Sequence, residues 1–196
     1  LEIEKGFKML LEAFPNQTSY VVEFADFYIS QKKYEKALGL YELVEKKLGV
    51  TESINKNKFL IYKGLKSDDL AILELQKLIS NFPLDEKYYM ELVDMYRLQR
   101  KQNKVKETYE QALKMMPNNI AVMDEYAHNC FLNNEIDTAF ILHEKVIADK
   151  NYTLRYKLEI INLYVKYEKF DSTLIPQRIS LQQAAETIHN EDFQFN

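Results

Sequence analysis

The chain has 196 residues, 46% of them hydrophobic and 29% charged, the balance of a folded chain rather than a disordered one. Its net charge of −4 gives no electrostatic footprint for nucleic acid or an anionic membrane surface, and four Gly with four Pro allow few turns between long elements. The single cysteine, Cys130, excludes an internal disulfide and a Cys-rich zinc framework, and no run approaches the ~18 apolar residues that mark a membrane span.

Residues 1–17 read as one helix that stops at Phe14-Pro15-Asn16. The start, Leu1-Glu2-Ile3, is already helical in pattern and lacks an initiator Met, as expected of a piece cut from a longer chain. The compartment is therefore left open between cytoplasmic and exported. Residues 18–51 follow as a helix pair. Val21, Phe24, Ala25 and Tyr28 share one face of its first helix, Ala37, Tyr41 and Val44 one face of its second, and Gly49 breaks the chain. Residues 52–85 repeat the plan with Phe59 and Tyr62, then Ala71, Leu75 and Leu78, and a stop at Phe82-Pro83. Their first helix carries Asn55, Lys56 and Lys58 where apolar residues are usual, and is expected to be the weakest.

Residues 86–119 place Tyr89, Leu92, Val93 and Tyr96 on one helix, and Val105, Tyr109 and Ala112 on the next, before Met116-Pro117. Residues 120–153 use Met123, Tyr126, Ala127 and Cys130, then Ala139, His143 and Val146, with a stop near Asn151. Helix stops thus recur every 34 residues. Residues 154–189 begin again with Tyr156, Ile160, Ile161 and Tyr164, but Pro176 stands where a second helix should be running. The segment 177–189 reads as a polar-sided helix with Ile179, Ala184 and Ile188 on one face, suited to cap the stack, and 190–196 as a frayed tail. Hairpin turns are expected near Gln31–Lys33, Leu65–Ser67, Gln99–Lys101 and Asn133–Asn134.

A 34-residue helix-turn-helix with Ala at its eighth and twentieth places (Ala25 and Ala37, Ala127 and Ala139), an aromatic between and Pro near its end, resembles the tetratricopeptide repeat. The resemblance implies an all-α fold: a right-handed α-solenoid of stacked helix-turn-helix repeats. It also implies a concave groove, lined by the first helices, in which a partner polypeptide lies. Carrying the family's inner-face places onto this chain puts Glu23, Asp26, Asn57, Leu60, Glu91 and Asp94 in that groove, then Arg97, Asp124, Glu125, His128, Phe131 and Glu159. Chaperone-binding members grip a terminal carboxylate with Lys and Asn. The matching places here hold Val22 and Asp26, then Glu91 and Asp94, so that function is not implied.

Glu91, Asp94, Asp124 and Glu125 instead predict a protein or peptide partner that carries Lys or Arg, with Leu60 and Phe131 as apolar anchors. Self-association through the ends of the stack is a further expectation. Direct membrane insertion and nucleic-acid binding are not expected.

No Gly-rich phosphate loop, His-Glu-x-x-His, Cys-x-x-Cys or Gly-x-Ser-x-Gly occurs. Asp124, His128, Cys130 and His143 form the one grouping with metal-ligand character. Cys130 and His143 fall on core places of the register, which favours packing. No pair of carboxylates stands out as an acid–base pair. The reading is a non-enzymatic interaction or scaffolding module with no catalytic residue, cofactor or metal. The alternative is a ligand- or peptide-sensing module that regulates an attached signalling domain.

Overall fold

The computed structural model describes residues 2–14, 17–169 and 171–194, without the side chains of 3, 4, 11, 48 and 188–194. Among these residues every regular element is helical: α1 (Glu2–Ala13), α2 (Thr18–Ser30), α3 (Tyr34–Leu48), α4 (Glu52–Gly64), α5 (Asp68–Asn81), α6 (Glu86–Leu98), α7 (Gln102–Met115), α8 (Ile120–Leu132), α9 (Ile136–Ala148), α10 (Leu154–Glu168) and α11 (Ile175–Gln194), with a 3-10 turn at Ser172–Leu174. The chain divides into two compact units, Leu1–Thr108 and Tyr109–Asn196, and the division falls inside α7.

The hairpin turns show how the repeat is written into the backbone. Lys32, Lys66, Arg100 and Asn134 are the described non-glycine residues with positive φ, at 56°, 57°, 56° and 63°, and they stand 34 residues apart. Each is the second residue past a helix, directly after the C-cap, in the left-handed conformation that lets a helix end and the chain reverse. The next residue's N–H reaches back to the same carbonyl each time: Lys33 to Tyr28, Ser67 to Tyr62, Lys101 to Tyr96 and Glu135 to Cys130, at 2.8–2.9 Å. Orphan carbonyls at four helix ends are thereby satisfied in the same way, within two or three residues of chain. These turns lie where the sequence expects them.

In unit 1, α2 packs on α3, α4 on α5, and α3 and α5 on the first helix that follows each. Ala25, Ala37 and Ala71 are fully buried and permit the close approach. Phe24 stacks on Phe7 at 4.7 Å, filling the wider gap between α1 and α2, and meets the tilted Tyr28 ring of its own helix at 4.4 Å. Fully buried side chains such as Leu75 and Leu78 contribute on the order of 1.5–3 kcal/mol each.

Two of the three polar residues noted in α4 lie in the core. Asn55 and Lys58 are buried and enter a polar network. Lys58 Nζ lies 2.6 Å from Glu45 Oε2 and 2.9 Å from Glu74 Oε1. Lys77 Nζ joins both carboxylates at 3.0 Å. Asn55 donates to Glu74 at 2.7 Å and to Glu45 at 3.2 Å, while its Oδ1 accepts the Thr51 N–H at 3.1 Å. Two ammonium groups therefore neutralise two carboxylates from α3 and α5, and the amide takes up remaining acceptor capacity. Burial pushes the Glu45 carboxyl up, but hydrogen bonds from Lys58, Lys77 and Asn55 prevail and hold it at about 2.

In unit 2, α8 packs on α9 across fully buried Ala127 and Ala139, and the Tyr109 and Tyr126 rings stack at 5.1 Å. After α10 the chain makes its 3-10 turn and enters α11, with Pro176 inside the first helical turn, where a missing N–H costs nothing. This corrects the packed face read from the sequence. Leu174, Leu181 and Ala185 are buried, whereas Ile179 is 40% exposed and Ile188 lies outside the described side chains. Arg178 pairs with Glu168 at 3.0 Å and Ser180 Oγ donates to Glu144 at 3.3 Å, fastening α11 to α10 and α9. The helix runs on to Gln194, past the point where the pattern predicted fraying.

Candidate functional site

Once α2, α4 and α6 have committed one face to the core, the opposite faces carry the residues that a ligand can meet. Among the described residues, unit 1 has two clefts on this side. One, of ≈ 290 Å³, lies between α2 and α4 and is lined by Asp26, Ile29, Tyr34, Asn57 and Leu60. The other, of ≈ 380 Å³, lies between α4 and α6 and is lined by Phe59, Leu60, Tyr88 and Met90, with Glu91 and Asp94 at its edge. Leu60 is 53% exposed and belongs to both.

Polar contacts hold these walls in place. Tyr41, fully buried on α3, donates its hydroxyl to Asp26 at 3.1 Å and accepts from Asn57 at 3.2 Å, linking α2 to α4. Burial, and then the nearby Asp26 charge, push the Tyr41 hydroxyl up to about 12, so it remains a donor throughout the physiological range. Tyr88 donates to Glu52 at 2.7 Å, linking α6 to α4. Burial and that carboxylate push the Tyr88 hydroxyl up as well. Asp85 caps α6 by accepting the Lys87 N–H at 3.0 Å.

The larger cleft is acidic on balance: Glu52, Asp85, Glu86, Glu91 and Asp94 line it, against Lys56 and Lys87. Lys63 reaches Glu91 at 2.7 Å and Arg97 reaches Asp94 at 3.3 Å, both pairs being exposed. Such exposed pairs are worth about 0–1 kcal/mol each and can be exchanged for a ligand's cation at little cost. Of the groove residues expected in this unit, Asp26, Asn57, Leu60, Glu91 and Asp94 line the clefts. Glu23 and Arg97 are exposed but outside the linings. The sequence missed Glu52, Asp85 and Glu86, which sit at the starts of α4 and α6. Their signal is the cap pattern, Thr51 before Glu52 and Asp85 before Glu86, at two first-helix N-termini.

Among the described residues of unit 2, a cleft of this kind, ≈ 240 Å³, lies between α8 and α10. Asp124, Glu125, His128 and Glu159 line it as the inner-face register predicts. Phe131 does not, which corrects its assignment as an anchor. It is buried, with its ring edge-on to Tyr164 at 5.0 Å and Tyr167 at 5.1 Å. Its place near the end of α8 is turned inward by the two tyrosines of α10. Tyr156 moves the other way: read as core, it is 49% exposed and lines the cleft.

Of the metal-like grouping, Asp124, His128 and His143 line this cleft and Cys130 does not. Asp124 Oδ2 accepts from the Tyr152 hydroxyl at 2.6 Å, Cys130 is buried, and His143 Nδ1 meets the Tyr164 hydroxyl at 3.1 Å. Among the described residues no group of three or more His, Cys, Asp or Glu could hold a metal ion. No described helix is long and apolar enough to cross a membrane.

No protein-family model and no curated relative matches the sequence. Solved structures do match. The C-terminal part of a TPR repeat-containing protein from Cytophaga hutchinsonii superposes with a TM-score of 0.62 at 17% identity, over 90% of this chain and 69% of that one. The fold is that of the tetratricopeptide repeat. MamA matches with a TM-score of 0.57 at 14% identity, over 91% of this chain and 95% of that chain. YrrB, described as a TPR protein with an unusual peptide-binding site, matches at 0.56 and 13% identity, over 93% and 91%. At such identities the tetratricopeptide likeness concerns the path of the chain, and the site has to be argued from its own residues.

Proposed function

We propose that this chain is a polypeptide-binding module, and that its ligand is a segment carrying Lys or Arg beside an apolar side chain. The observation that supports this most is Leu60, a half-exposed leucine shared by two adjoining clefts, one of which is rimmed by carboxylates. An apolar side chain of the partner would take the position over Leu60, where burial contributes about 25 cal/mol per Å². A neighbouring cation would meet Asp94 and Glu91, which set register and on-rate more than affinity. The site calls for no catalytic residue, cofactor or metal. YrrB offers a parallel, since a peptide-binding site is described for that protein on the same fold.

The test is a peptide array probed with wild type, Asp94→Lys and Leu60→Ser. Wild type should capture basic peptides that contain an aliphatic or aromatic residue, and raised salt should weaken capture, because a Debye length of about 10 Å at 0.1 M screens exposed charge. Asp94→Lys should shift selection away from basic peptides, and Leu60→Ser should reduce capture across the array. Unchanged selection in both variants, or a wild-type preference for acidic peptides, would remove this surface from consideration.

A further inference from the structure

The cleft of unit 2 has a buried imidazole in its lining, which neither cleft of unit 1 has, and its partners there, Asp124, Glu125, His128 and Glu159 among them, include no Lys or Arg. Its ≈ 240 Å³ falls below the ~300–1,000 Å³ of pockets for drug-sized ligands and is on the scale of one large side chain. We propose that it is a socket for a single guanidinium, the side chain of an arginine in the partner polypeptide. The inference rests on the polypeptide-binding reading and specifies one contact of it.

The chemistry of the walls matches that occupant. Tyr152 engages Oδ2 of Asp124 at 2.6 Å, which fixes the carboxylate and leaves Oδ1 for a ligand N–H. Glu125 and Glu159 supply the rest of the negative charge. Arg155, 84% exposed, touches Glu159 at 3.2 Å from outside the lining, a contact that an incoming guanidinium replaces in kind. Tyr156 leans on Tyr152 with ring centroids 5.4 Å apart, so a half-exposed aromatic face stands beside the carboxylates, the setting in which guanidinium groups stack.

His143 is 1% exposed, and its Nδ1 is occupied by the Tyr164 hydroxyl at 3.1 Å. A hydroxyl can donate or accept, so Tyr164 tolerates either tautomer. With the proton on Nδ1, Nε2 carries a lone pair that can take a guanidinium N–H. Burial, and then the His128 charge, push the His143 pKa down to about 4, so the ring does not repel a cation at neutral pH. A lysine ammonium lacks the planar fork needed to reach Asp124, the imidazole and the tyrosine face together.

The experiment is a nitrogen-15 NMR titration of the full chain with N-acetyl-arginine amide, its uncharged isostere N-acetyl-citrulline amide, and N-acetyl-lysine amide. The arginine probe should shift the His143 ring nitrogens and the backbone of residues 124–128 and 156–163. The lysine probe should bind more weakly and the citrulline probe not at all. Asp124→Asn keeps an acceptor for Tyr152, and should weaken the arginine probe about tenfold by removing one charge-assisted bond. The unperturbed His143 and Tyr164 signals report whether that variant is folded.

Equal shifts with citrulline, arginine shifts confined to residues outside the cleft, or undiminished binding to Asp124→Asn would each overturn the socket. Peptide capture at Leu60 without an arginine shift here would overturn the socket alone. Arginine binding here in a chain that captures no peptide would overturn its role in polypeptide recognition.

Discussion

The α4–α5 hairpin of unit 1 and the α8–α9 hairpin of unit 2 share one register and fill it with different chemistry. Lys58 stands at the place held by Phe24, Leu92 and Tyr126, each 34 residues from the next, and it is closed in by Glu45 and Glu74. His143 stands at the place of Tyr41, Leu75 and Tyr109, and it is closed in by a tyrosine. The first arrangement charges the core and neutralises it in place. The second keeps a titratable ring uncharged. The repeat therefore constrains the depth and direction of a side chain, not its polarity, provided that every buried polar group finds a partner.

The largest effect should come from breaking the charged core. Lys58→Ala leaves Glu74 buried beside a single remaining ammonium, and should cost about 3–5 kcal/mol in urea unfolding. A cost below about 1 kcal/mol would mean that the network is solvated and does not act as a core.

Acid should separate the two hairpins next. The unfolded chain protonates His143 as pH falls through 6.5, while the folded chain resists until about 4. Stability is thus complete above pH 6.5 and declines between 6.5 and 4, by on the order of 3 kcal/mol. Glu45, held at about 2 against 4.5 in the unfolded chain, gives a loss only between pH 4.5 and 2. Amide exchange should accordingly quicken first in α9 and later in α4, and His143→Phe should flatten the upper limb. Simultaneous loss in both hairpins would deny that local chemistry sets the pH response.

The smallest effect concerns the turns. A lysine in the left-handed region costs roughly 1–2 kcal/mol, whereas asparagine tolerates it. Lys66→Gly should therefore stabilise by about 1 kcal/mol, and Asn134→Gly by less, as thermal melts can resolve.

The fold was legible in the sequence because its determinants repeat. Ala25, Ala37, Ala71, Ala127 and Ala139 keep their offsets, and the helix stops keep theirs. The buried network was not legible, since Lys58 and Asn55 look like surface residues until Glu45 on α3 and Glu74 on α5 are brought to them. Periodicity reports one helix at a time. The same limit explains Phe131, a groove residue by register that two tyrosines of a later helix draw inward. Leu60 was legible because an apolar residue on the solvent side of a first helix has no packing reason to be there.

The most direct test of polypeptide binding around Leu60 is paramagnetic NMR on the full chain, with a spin-labelled basic peptide chosen from the array. Broadening should concentrate on residues 56–60 and 87–94, and should vanish with Leu60→Ser at the same peptide concentration. Broadening centred on the second helices α3 and α5, or broadening indifferent to Leu60→Ser, would contradict the account.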